Sequence, residues 1–363
     1  MKIVFLAPFG IRPKGTVLAR MVPLAAELQR LGHTVVIVAP PYTNPEDSGT
    51  VEVIQGVTLR NISLGSRHRV LATPLLAWRM FREAVREKAD VVHLFKPKGY
   101  GGVAGMLHLV LDRLGVRLPP LILDMDDWEG TGGMNDLHDY SSLEKHFYRF
   151  QEQWLSRRVS GITVASRALQ DLVREMRIPE ERILYLPNCV HETERRDGRS
   201  ARQRLGIAAT APVVLLYTRF FEFSQQKLYR IFSEIHRQVP GVRFLIVGRG
   251  RKGEENRLLD AAKDGGFSDA LVMAGWVEPA DLPEYLSIGD VAIYPLDDTL
   301  VNRCKCPAKL TELLVNGIAV VADGIGQAKE YIHPANSESL CNAGDGEEMA
   351  AIAAGLLTRP AYR

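Results

Sequence analysis

Short apolar runs alternate with amphipathic segments along this chain of 363 residues, and the alternation is interrupted once, by a charged stretch at residues 189–211. The apolar runs, for example residues 2–6, 91–95 and 242–247, have the length and continuous hydrophobicity of strands buried on both faces. The segments between them, for example residues 17–31, repeat apolar residues at intervals of three and four. The pattern predicts an α/β protein with two doubly wound domains that face each other across a cleft.

The charged stretch sets the predicted domain boundaries. It crowds acidic and basic residues together, Glu192 to Arg199 among them, and shows no strand pattern, so we interpret residues 189–211 as a linker. An N-terminal Rossmann-like domain is then predicted at residues 1–188 and a C-terminal one at residues 212–363. Because ligands of open parallel sheets bind at the carboxyl ends of the strands, the loops that follow the strands are the places to look for a site.

Composition excludes several other classes of protein. The net charge is only +2, and no nucleic-acid partner is expected. The four cysteines, one of which is Cys189, show no CxxC spacing and no matching histidine cluster, so neither a metal site nor a disulfide framework is predicted. The first strand begins at once, without the apolar core of a signal peptide, and no apolar run approaches the roughly 18 residues of a membrane span. We expect a soluble, reduced, cytoplasmic protein.

Two loops in the C-terminal half carry candidate binding residues. After the strand at 213–217, Arg219 offers a planar fork and Lys227 a point charge, a pair suited to a diphosphate whose negative charge grows as it departs. Two basic residues in a loop are, however, ordinarily just solvated. After the strand at 242–247, Gly248 and Gly250 would allow close approach of a nucleotide, and a simple tight turn explains them equally well.

The stretch from Cys304 to residue 332 predicts one wall of a ligand site. Pro307 suits the first helical position, Gly317 suits the helix stop, and residues 318–322 form a buried strand. On this helix Lys309 favours a phosphate, and the Glu312 carboxylate can accept both hydroxyls of a ribose. The simpler alternative is a surface ion pair between residues three apart.

The N-terminal half offers weaker signals. The loop after the first strand contains Gly15 and Thr16, which could let backbone amides approach an anion, although no dinucleotide fingerprint or P-loop is present. After the strand at 121–124, a cluster of three aspartates ends at Asp127. We expect unpaired carboxylates that accept hydrogen bonds from sugar or acceptor hydroxyls, with His93 nearby, rather than a metal site. A packed histidine and an aspartate helix cap are the simpler alternatives.

In their order along the chain, these signals resemble a known family. The segments RLGHTVVIVAP, DVVHLFKP, YLPNCV, IVGRG, MAGWVEPADLPEYLSIGDVAIYPL and CPAKLTELLVNGIAVVA, with Gly15 and the pair Arg219 and Lys227, are similar to retaining GT-B glycosyltransferases of family 4 type. The last two segments are the most specific.

The resemblance implies a role for each candidate residue. Arg219 and Lys227 would bind the donor diphosphate and act in catalysis, and Glu312 would hold the ribose. The remaining donor contacts would come from Gly15, Gly248, Gly250 and Lys309, with Asp127 the catalytic residue of the other domain. The resemblance implies transfer from a nucleotide-diphosphate sugar with retention, no cofactor and no metal ion. The acceptor would be a glycan, a lipid-linked molecule or a small molecule.

The chain also departs from the family pattern. Cys304 stands where an acidic residue usually contacts the transferred sugar, so the sugar is expected to be held elsewhere, by residues 323–327 or by Asp297 and Asp298. Thr218 and Cys189 replace common glycines. Members usually continue beyond the point that corresponds to Arg363, into a helix that crosses back to the first domain. We therefore expect a shortened chain or domains tethered by the linker alone.

Three further hypotheses remain open. A GT-B sugar-nucleotide epimerase would share the fold and the diphosphate site, and a degenerate glycosyltransferase-like binding or scaffold protein would bind without turnover. Residues 67–88 combine six basic residues with Leu71, Leu75, Leu76, Trp78 and Phe81, which predicts either peripheral contact with the inner face of the cell membrane or an ordinary helix with one buried face.

Overall fold

The computed structural model of the chain describes residues 1–12, 17–65, 69–188, 196–332 and 334–359. It divides into two compact units, residues 1–189 with 304–306, and residues 190–303 with 307–363. The strands are β1 Lys2–Leu6, β2 Thr34–Ala39, β3 Val51–Ile54, β4 Val57–Asn61, β5 Val91–Phe95, β6 Leu121–Met125, β7 Gly161–Val164, β8 Ile183–Tyr185, β9 Val213–Tyr217, β10 Arg243–Val247, β11 Leu271–Gly275, β12 Val291–Tyr294, β13 Ala319–Asp323 and β14 Leu340–Cys341. The α-helices are α1 Val22–Arg30, α2 Arg69–Arg86, α3 Gly99–Arg113, α4 Ser142–Ser156, α5 Arg167–Glu175, α6 Arg199–Arg204, α7 Gln225–Gln238, α8 Glu254–Asp264, α9 Leu282–Leu286, α10 Leu300–Cys304, α11 Ala308–Val315, α12 Ala328–Tyr331 and α13 Gly346–Thr358.

The first unit is built on an eight-stranded sheet in the order β3-β4-β2-β1-β5-β6-β7-β8. All neighbouring pairs are parallel except the hairpin of β3 and β4. That hairpin turns at Gln55 and Gly56, both in the left-handed region, which matches the tight turn that joins antiparallel strands. The central strand β1 is almost entirely buried, as its continuous apolar sequence requires. The predicted α/β class of this half is confirmed.

The second unit is a six-stranded parallel sheet in the order β11-β10-β9-β12-β13-β14. In order of appearance along this unit the strands are therefore arranged 3-2-1-4-5-6, the order of a Rossmann fold. Apolar side chains form one core on each face of the sheet. The order reverses between β9 and β12, and the loops after these strands are thus where a ligand is expected.

Part of the segment predicted as a linker is folded. Within it, α6 contributes Ala201, and Ile207 follows, both buried in a core of the second unit. Arg202 donates a hydrogen bond to the Ala208 carbonyl at 3.1 Å, which closes the segment on itself. Residues 189–195 of the predicted linker lie outside the described residues, so the folded part begins at α6.

The first helix differs from its prediction as a single helix over residues 17–31. It starts with a π-helical turn, Val17–Met21, and becomes α-helical only at Val22. Pro23 has no N–H and cannot donate to the preceding turn, which accounts for the wider turn before it. The result places the Arg20 side chain inside the first unit, where it is only 5% exposed.

Helix α2 contains the basic and apolar stretch for which the sequence allows either membrane contact or an ordinary helix with one buried face. Leu76, Met80 and Phe81 are buried in the first unit, whereas Trp78 is 45% exposed and lies on the side of Arg82. Most of the apolar residues described in this stretch are thus accounted for by the protein core. Among the described residues, no helix is both long and apolar enough to cross a membrane.

Candidate functional site

The turn after β9 presents Arg219 at the carboxyl edge of the second sheet. Thr218 is buried and its hydroxyl accepts a hydrogen bond from the Phe220 amide at 2.8 Å. Phe220 has a φ of 65° and a buried ring. The left-handed conformation of Phe220 is therefore held by this hydrogen bond and by the core. Arg219 lies between these two buried residues and is exposed, so a guanidinium is displayed on a fixed turn.

Lys227 lies on the first turn of α7, which Ser224 caps by accepting a hydrogen bond from the Lys227 amide. Its ammonium group contacts Asp323 Oδ2 at 2.6 Å and donates to the Leu296 carbonyl at 3.1 Å. Lys227 is therefore not the isolated point charge that the sequence predicted. Two of its three donors are used, and a direct contact with a diphosphate would have to use the third.

Asp323, the last residue of β13, is fully buried. Besides Lys227, its carboxylate accepts hydrogen bonds from the amides of Leu296 at 2.7 Å and Gly344 at 3.2 Å. Burial raises the pKa of Asp323, against the opposing effect of Lys227. Both oxygens of Asp323 are thus used inside the protein, so the prediction that residues 323–327 or Asp297 and Asp298 hold the sugar rests on the other members of these sets.

Tyr217, the last residue of β9, joins the residues predicted to bind phosphate and ribose. Its hydroxyl is hydrogen bonded to the Glu312 carboxylate, and Lys309 Nζ lies 5.5 Å from the centre of its ring. Burial raises the pKa of Glu312, while Tyr217, Lys309 and Arg219 oppose the shift. Lys309 forms its ion pair with buried Glu222, at 3.9 Å, rather than with Glu312. The structure thus brings Arg219, Lys309 and Glu312 together around one tyrosine.

Helix α11, which carries Lys309 and Glu312, begins one residue later than predicted. Pro307 occupies the N-cap position with extended backbone angles and is not the first helical residue. The helix stops as predicted, with Gly317 at a φ of 70°.

The two glycines after β10 are required by the local structure. Gly248 has a φ of 119°, and a β-carbon there would lie 1.9 Å from the Thr218 carbonyl oxygen. A β-carbon on Gly250 would meet Glu254, and the Gly250 amide donates to Glu255 at 2.6 Å. The amide of Gly250 is thus used by the first turn of α8. Gly248 therefore cannot be replaced without moving the backbone beside Arg219, whereas a side chain at Gly250 would displace Glu254 first.

In the first unit, the three aspartates after β6 are paired, and the expectation of unpaired carboxylates is wrong. Asp124 is fully buried and receives two hydrogen bonds from Arg20, at 2.7 and 2.6 Å, and one from Thr163 at 2.5 Å. His93 is within 3.1 Å of the same threonine. Burial lowers the pKa of His93 to about 4, so at neutral pH it is a neutral core residue rather than a member of the site.

Asp126 and Asp127 share a buried lysine. Lys96 Nζ lies 2.8 Å from Asp126 Oδ1, 2.6 Å from Asp127 Oδ2 and 3.5 Å from Glu129 Oε1. Burial and the neighbouring aspartates raise the pKa of Asp126 to about 6, although Lys96 opposes the shift. For Asp127 burial acts in the same direction, but Lys96 prevails and holds the pKa of Asp127 below its ordinary value. Asp127 is thus an ionised carboxylate, partly accessible, at the edge of the sheet.

Glu152 of α4 lies beneath this cluster and is fully buried. Glu152 Oε1 accepts a hydrogen bond from the Glu129 amide at 3.0 Å, whereas Oε2 has no hydrogen-bond partner among the described residues. Burial raises the pKa of Glu152 to about 8. The carboxyl group is therefore protonated at neutral pH, and it adds no negative charge to the cluster.

The segment of Cys304, Lys305 and Cys306 groups with the first unit. Ser166 donates to the Cys304 carbonyl at 2.7 Å, and Asn188 bonds to Cys306 through its backbone and its side chain. Cys304, where the family pattern has an acidic residue, is fully buried. Gly15 lies outside the described residues. Within the residues that are described, no group of histidine, cysteine and acidic side chains is arranged to hold a metal ion.

Sequence reasoning missed Tyr217, Glu222 and Lys96, and it considered Asp323 only as a candidate to hold the sugar. A signal was available for two of the missed residues, because Tyr217 ends a strand and Lys96 directly follows one. Polar residues at the carboxyl ends of parallel strands therefore merit attention even when no motif surrounds them.

Comparison with known families agrees with this arrangement. Residues 15–189 match the family described as "Glycosyl transferase 4-like domain", and residues 211–359 match "Glycosyl transferases group 1". No match was found among curated protein sequences.

Three solved structures with similar folds are distant from this chain in sequence. HepE from Anabaena in complex with UDP and glucose has a TM-score of 0.72 at 19% identity, over 100% of this chain and 91% of that one. Sucrose-phosphate synthase from Thermosynechococcus elongatus has a TM-score of 0.71 at 15% identity, over 100% and 91%. The catalytic domain of starch synthase IV from Arabidopsis thaliana has a TM-score of 0.70 at 12% identity, over 99% and 92%. These likenesses establish the fold, and together with the two family matches they make this chain a GT-B glycosyltransferase of family 4 type.

Proposed function

We propose that the chain transfers a hexosyl group from a nucleotide-diphosphate sugar to an acceptor hydroxyl with retention of anomeric configuration, in glycan or glycolipid biosynthesis. The observation that carries the proposal is the cluster of Arg219, Lys309 and Glu312 around Tyr217 at the carboxyl edge of the second sheet. A nucleoside diphosphate requires cations for its phosphates and a carboxylate that accepts hydrogen bonds from its ribose hydroxyls, and this cluster supplies two cations and one such carboxylate.

Each residue has a defined part in this proposal. Arg219 stabilises the charge that grows on the leaving diphosphate, since it is exposed on a rigid turn. Lys227 is fixed by its ion pair with Asp323 and by the Leu296 carbonyl, and it offers its remaining donor to phosphate. Glu312 holds the ribose and Lys309 adds positive charge. Gly248 and Gly250 shape the nucleotide loop, and Gly15 would approach the donor from the first domain.

In the first unit, we propose that Asp127 accepts a hydrogen bond from an acceptor hydroxyl. Its lowered pKa makes it a poor base, because a strong base must hold a proton tightly. Deprotonation of the acceptor is then left to the departing phosphate, as front-side transfer with retention requires. Neither a metal ion nor a cofactor has a part in this scheme, which makes the nucleotide sugar the sole co-substrate.

The decisive experiment incubates the purified chain with a panel of nucleotide sugars, beginning with UDP-glucose, which HepE binds in a solved structure. Hydrolysis or transfer should persist in the presence of EDTA, and proton NMR of the product should show the donor's anomeric configuration. Release of an altered nucleotide sugar without acceptor would identify an epimerase. Nucleotide binding without turnover would identify a binding or scaffold subunit.

We further propose a cytoplasmic location, with peripheral contact at the inner face of the cell membrane at most. The exposed side of α2, with Trp78, Arg82 and Arg86, is the candidate contact. Flotation with anionic vesicles tests it, because reversal of charge at Arg82 and Arg86 should abolish any binding that this helix supports.

A further inference from the structure

Four tyrosines gather at the carboxyl edge of the first sheet, although they are far apart in the sequence. Tyr42 follows β2, Tyr100 lies on the first turn of α3 after β5, and Tyr140 and Tyr148 lie before and within α4, after β6. The Tyr42 and Tyr100 ring centres are 5.1 Å apart and those of Tyr140 and Tyr148 are also 5.1 Å apart, both pairs being edge to face. We call these residues the tyrosine cluster.

The two pairs form one cluster, since their hydroxyl groups influence one another. Burial raises the pKa of Tyr42, and the proximity of Tyr140, Tyr100 and Tyr148 raises it further. Burial also raises the pKa of Tyr148 to about 12, with Tyr140 and Tyr100 among the contributors. The phenols of Tyr42, Tyr140 and Tyr148 are therefore neutral at physiological pH and present hydroxyl groups that both donate and accept.

None of these four hydroxyl groups makes a hydrogen bond within the described part of the chain, and none is sealed from solvent. Tyr42 is 39% exposed and the other three are half-buried. A tyrosine that serves only the core usually has a protein partner for its hydroxyl. His138 lies 5.2 Å from the Tyr140 ring centre, and Lys98 lies over the same ring. The exposed ring of Tyr42 and the unpaired hydroxyls are therefore what the cluster presents to a ligand.

The charged residues beside the cluster balance one another. Lys98 Nζ is 5.8 Å from the Tyr140 ring centre and 2.6 Å from Glu129, and Lys96 bridges Asp126 and Asp127. The positive charge of Lys305 also lowers the pKa of Asp127. With Glu152 protonated, three of the described lysines face three of the described carboxylates, Asp126, Asp127 and Glu129. The described charges around the cluster thus favour no ligand of net charge.

We propose that the tyrosine cluster is the acceptor subsite and that it binds an uncharged carbohydrate, whose ring lies on the tyrosine faces and whose hydroxyls bond to the phenols and to Asp127. The inference rests on the proposed glycosyl transfer and narrows the acceptor to one class. A sugar ring presents C–H groups on its faces and hydroxyls on its rim, which match aromatic faces bordered by polar groups. A phosphate headgroup would instead need unpaired cations at this edge.

The test measures binding of the full chain to a glycan array that holds neutral and anionic oligosaccharides, and to phosphatidylglycerol vesicles. Four variants are compared, Y42A, Y140A, Y140F and the control Y229F, which removes a tyrosine hydroxyl from α7 in the second unit. Hydrolysis of nucleotide sugar without acceptor is measured on each preparation, and thermal melting verifies folding.

Neutral glycans should bind, Y42A and Y140A should each weaken that binding at least tenfold, Y140F should weaken it about threefold, and Y229F should not change it. Hydrolysis of the donor should stay within twofold in Y229F and remain measurable in the other variants. Three results obtained with retained donor hydrolysis would overturn the acceptor inference alone. They are no binding of any glycan, a preference for anionic glycans or vesicles, and unchanged binding by Y42A and Y140A. If the unmodified chain hydrolyses none of the nucleotide sugars, the proposed function itself is refuted. If Y140A does not fold, Y140F and Y42A decide the question.

Discussion

The two units differ in the charge that they expose at the carboxyl edge of their parallel sheets. In the second unit, Arg219 stands exposed above the buried pair of Lys227 and Asp323. In the first unit, Lys96 is itself buried and its charge is matched by Asp126 and Asp127. A nucleoside diphosphate needs the former arrangement, whereas a neutral acceptor is served by the latter. The difference indicates that the strand frame fixes where a ligand binds and that the charge balance around it selects which ligand.

The largest expected effect on stability comes from removing the cation of either buried ion pair, and the effect on nucleotide binding distinguishes the two pairs. Lys227→Met leaves the Asp323 carboxylate buried without its cation, and Arg20→Met does the same to Asp124, so each should lower the free energy of unfolding by about 3–5 kcal/mol. Only Lys227→Met should also weaken nucleotide binding, since we propose that the remaining donor of Lys227 contacts the diphosphate. Urea unfolding and calorimetric titration with UDP measure the two quantities.

Lys329→Met is the matched control for this comparison, since Lys329 is an exposed lysine of the second unit. It should change the unfolding free energy by less than about 0.5 kcal/mol. Equal losses of nucleotide affinity in Lys227→Met and Arg20→Met would contradict a special link between Lys227 and the donor.

The next effect tests the exposed guanidinium. Arg219→Ala removes the cation that meets the growing charge on the diphosphate, and kcat should fall by about 10²–10³-fold with little change in stability. Steady-state kinetics with the preferred nucleotide sugar measure it. Arg230→Ala, an exposed arginine of α7 on the same unit, should retain full activity. A loss below fivefold in Arg219→Ala would remove Arg219 from the catalytic scheme.

The third effect concerns the proton on Glu152. Its pKa is about 8 in the folded chain and near 4.5 in the unfolded one, so the folded state holds the extra proton between these values. Stability is then greatest below the unfolded pKa and falls by about 1.4 kcal/mol per pH unit as pH rises through this window. Glu152→Gln should remove that slope, so that between pH 6 and pH 8 it loses about 2 kcal/mol less stability than the unmodified chain does.

Unfolding by urea at pH 6, 7 and 8 measures the slope. Glu144→Gln is the control, since Glu144 is exposed on the same helix. Parallel curves for the unmodified chain and Glu152→Gln would show that Glu152 is ionised in the folded state at neutral pH.

The sequence predicted the frame of both units better than the partners of individual side chains. The apolar runs locate β1 and β9, and the family segments locate Arg219 and Glu312. The burial of Lys227 could not be predicted, because its partner Asp323 lies almost a hundred residues away and comes close only when β13 and α7 pack on the same sheet. Likewise Arg20 reaches Asp124 because a π-helical turn turns it inward, and no propensity rule specified that turn.

The smallest expected effect concerns the pKa of Glu312, the carboxylate that we propose binds the ribose. Tyr217→Phe removes the hydroxyl that bonds to Glu312 and should lower the unfolding free energy by about 0.5–1.5 kcal/mol. Burial already raises the pKa of Glu312, and loss of the Tyr217 bond, which opposes that shift, should raise it further. Glu312 must be ionised to accept both ribose hydroxyls, so nucleotide affinity is lost as pH falls through this pKa, and in Tyr217→Phe the loss should begin at a higher pH. Titration with UDP between pH 4.5 and 8 locates both midpoints. Tyr285→Phe, on α9 of the same unit, provides the control. The Tyr217 ring remains beside Lys309 in the variant. A shifted midpoint with unchanged affinity at pH 8 would therefore assign the effect to the Glu312 carboxylate alone. Equal midpoints in the two proteins would mean that Glu312 does not contact the ribose.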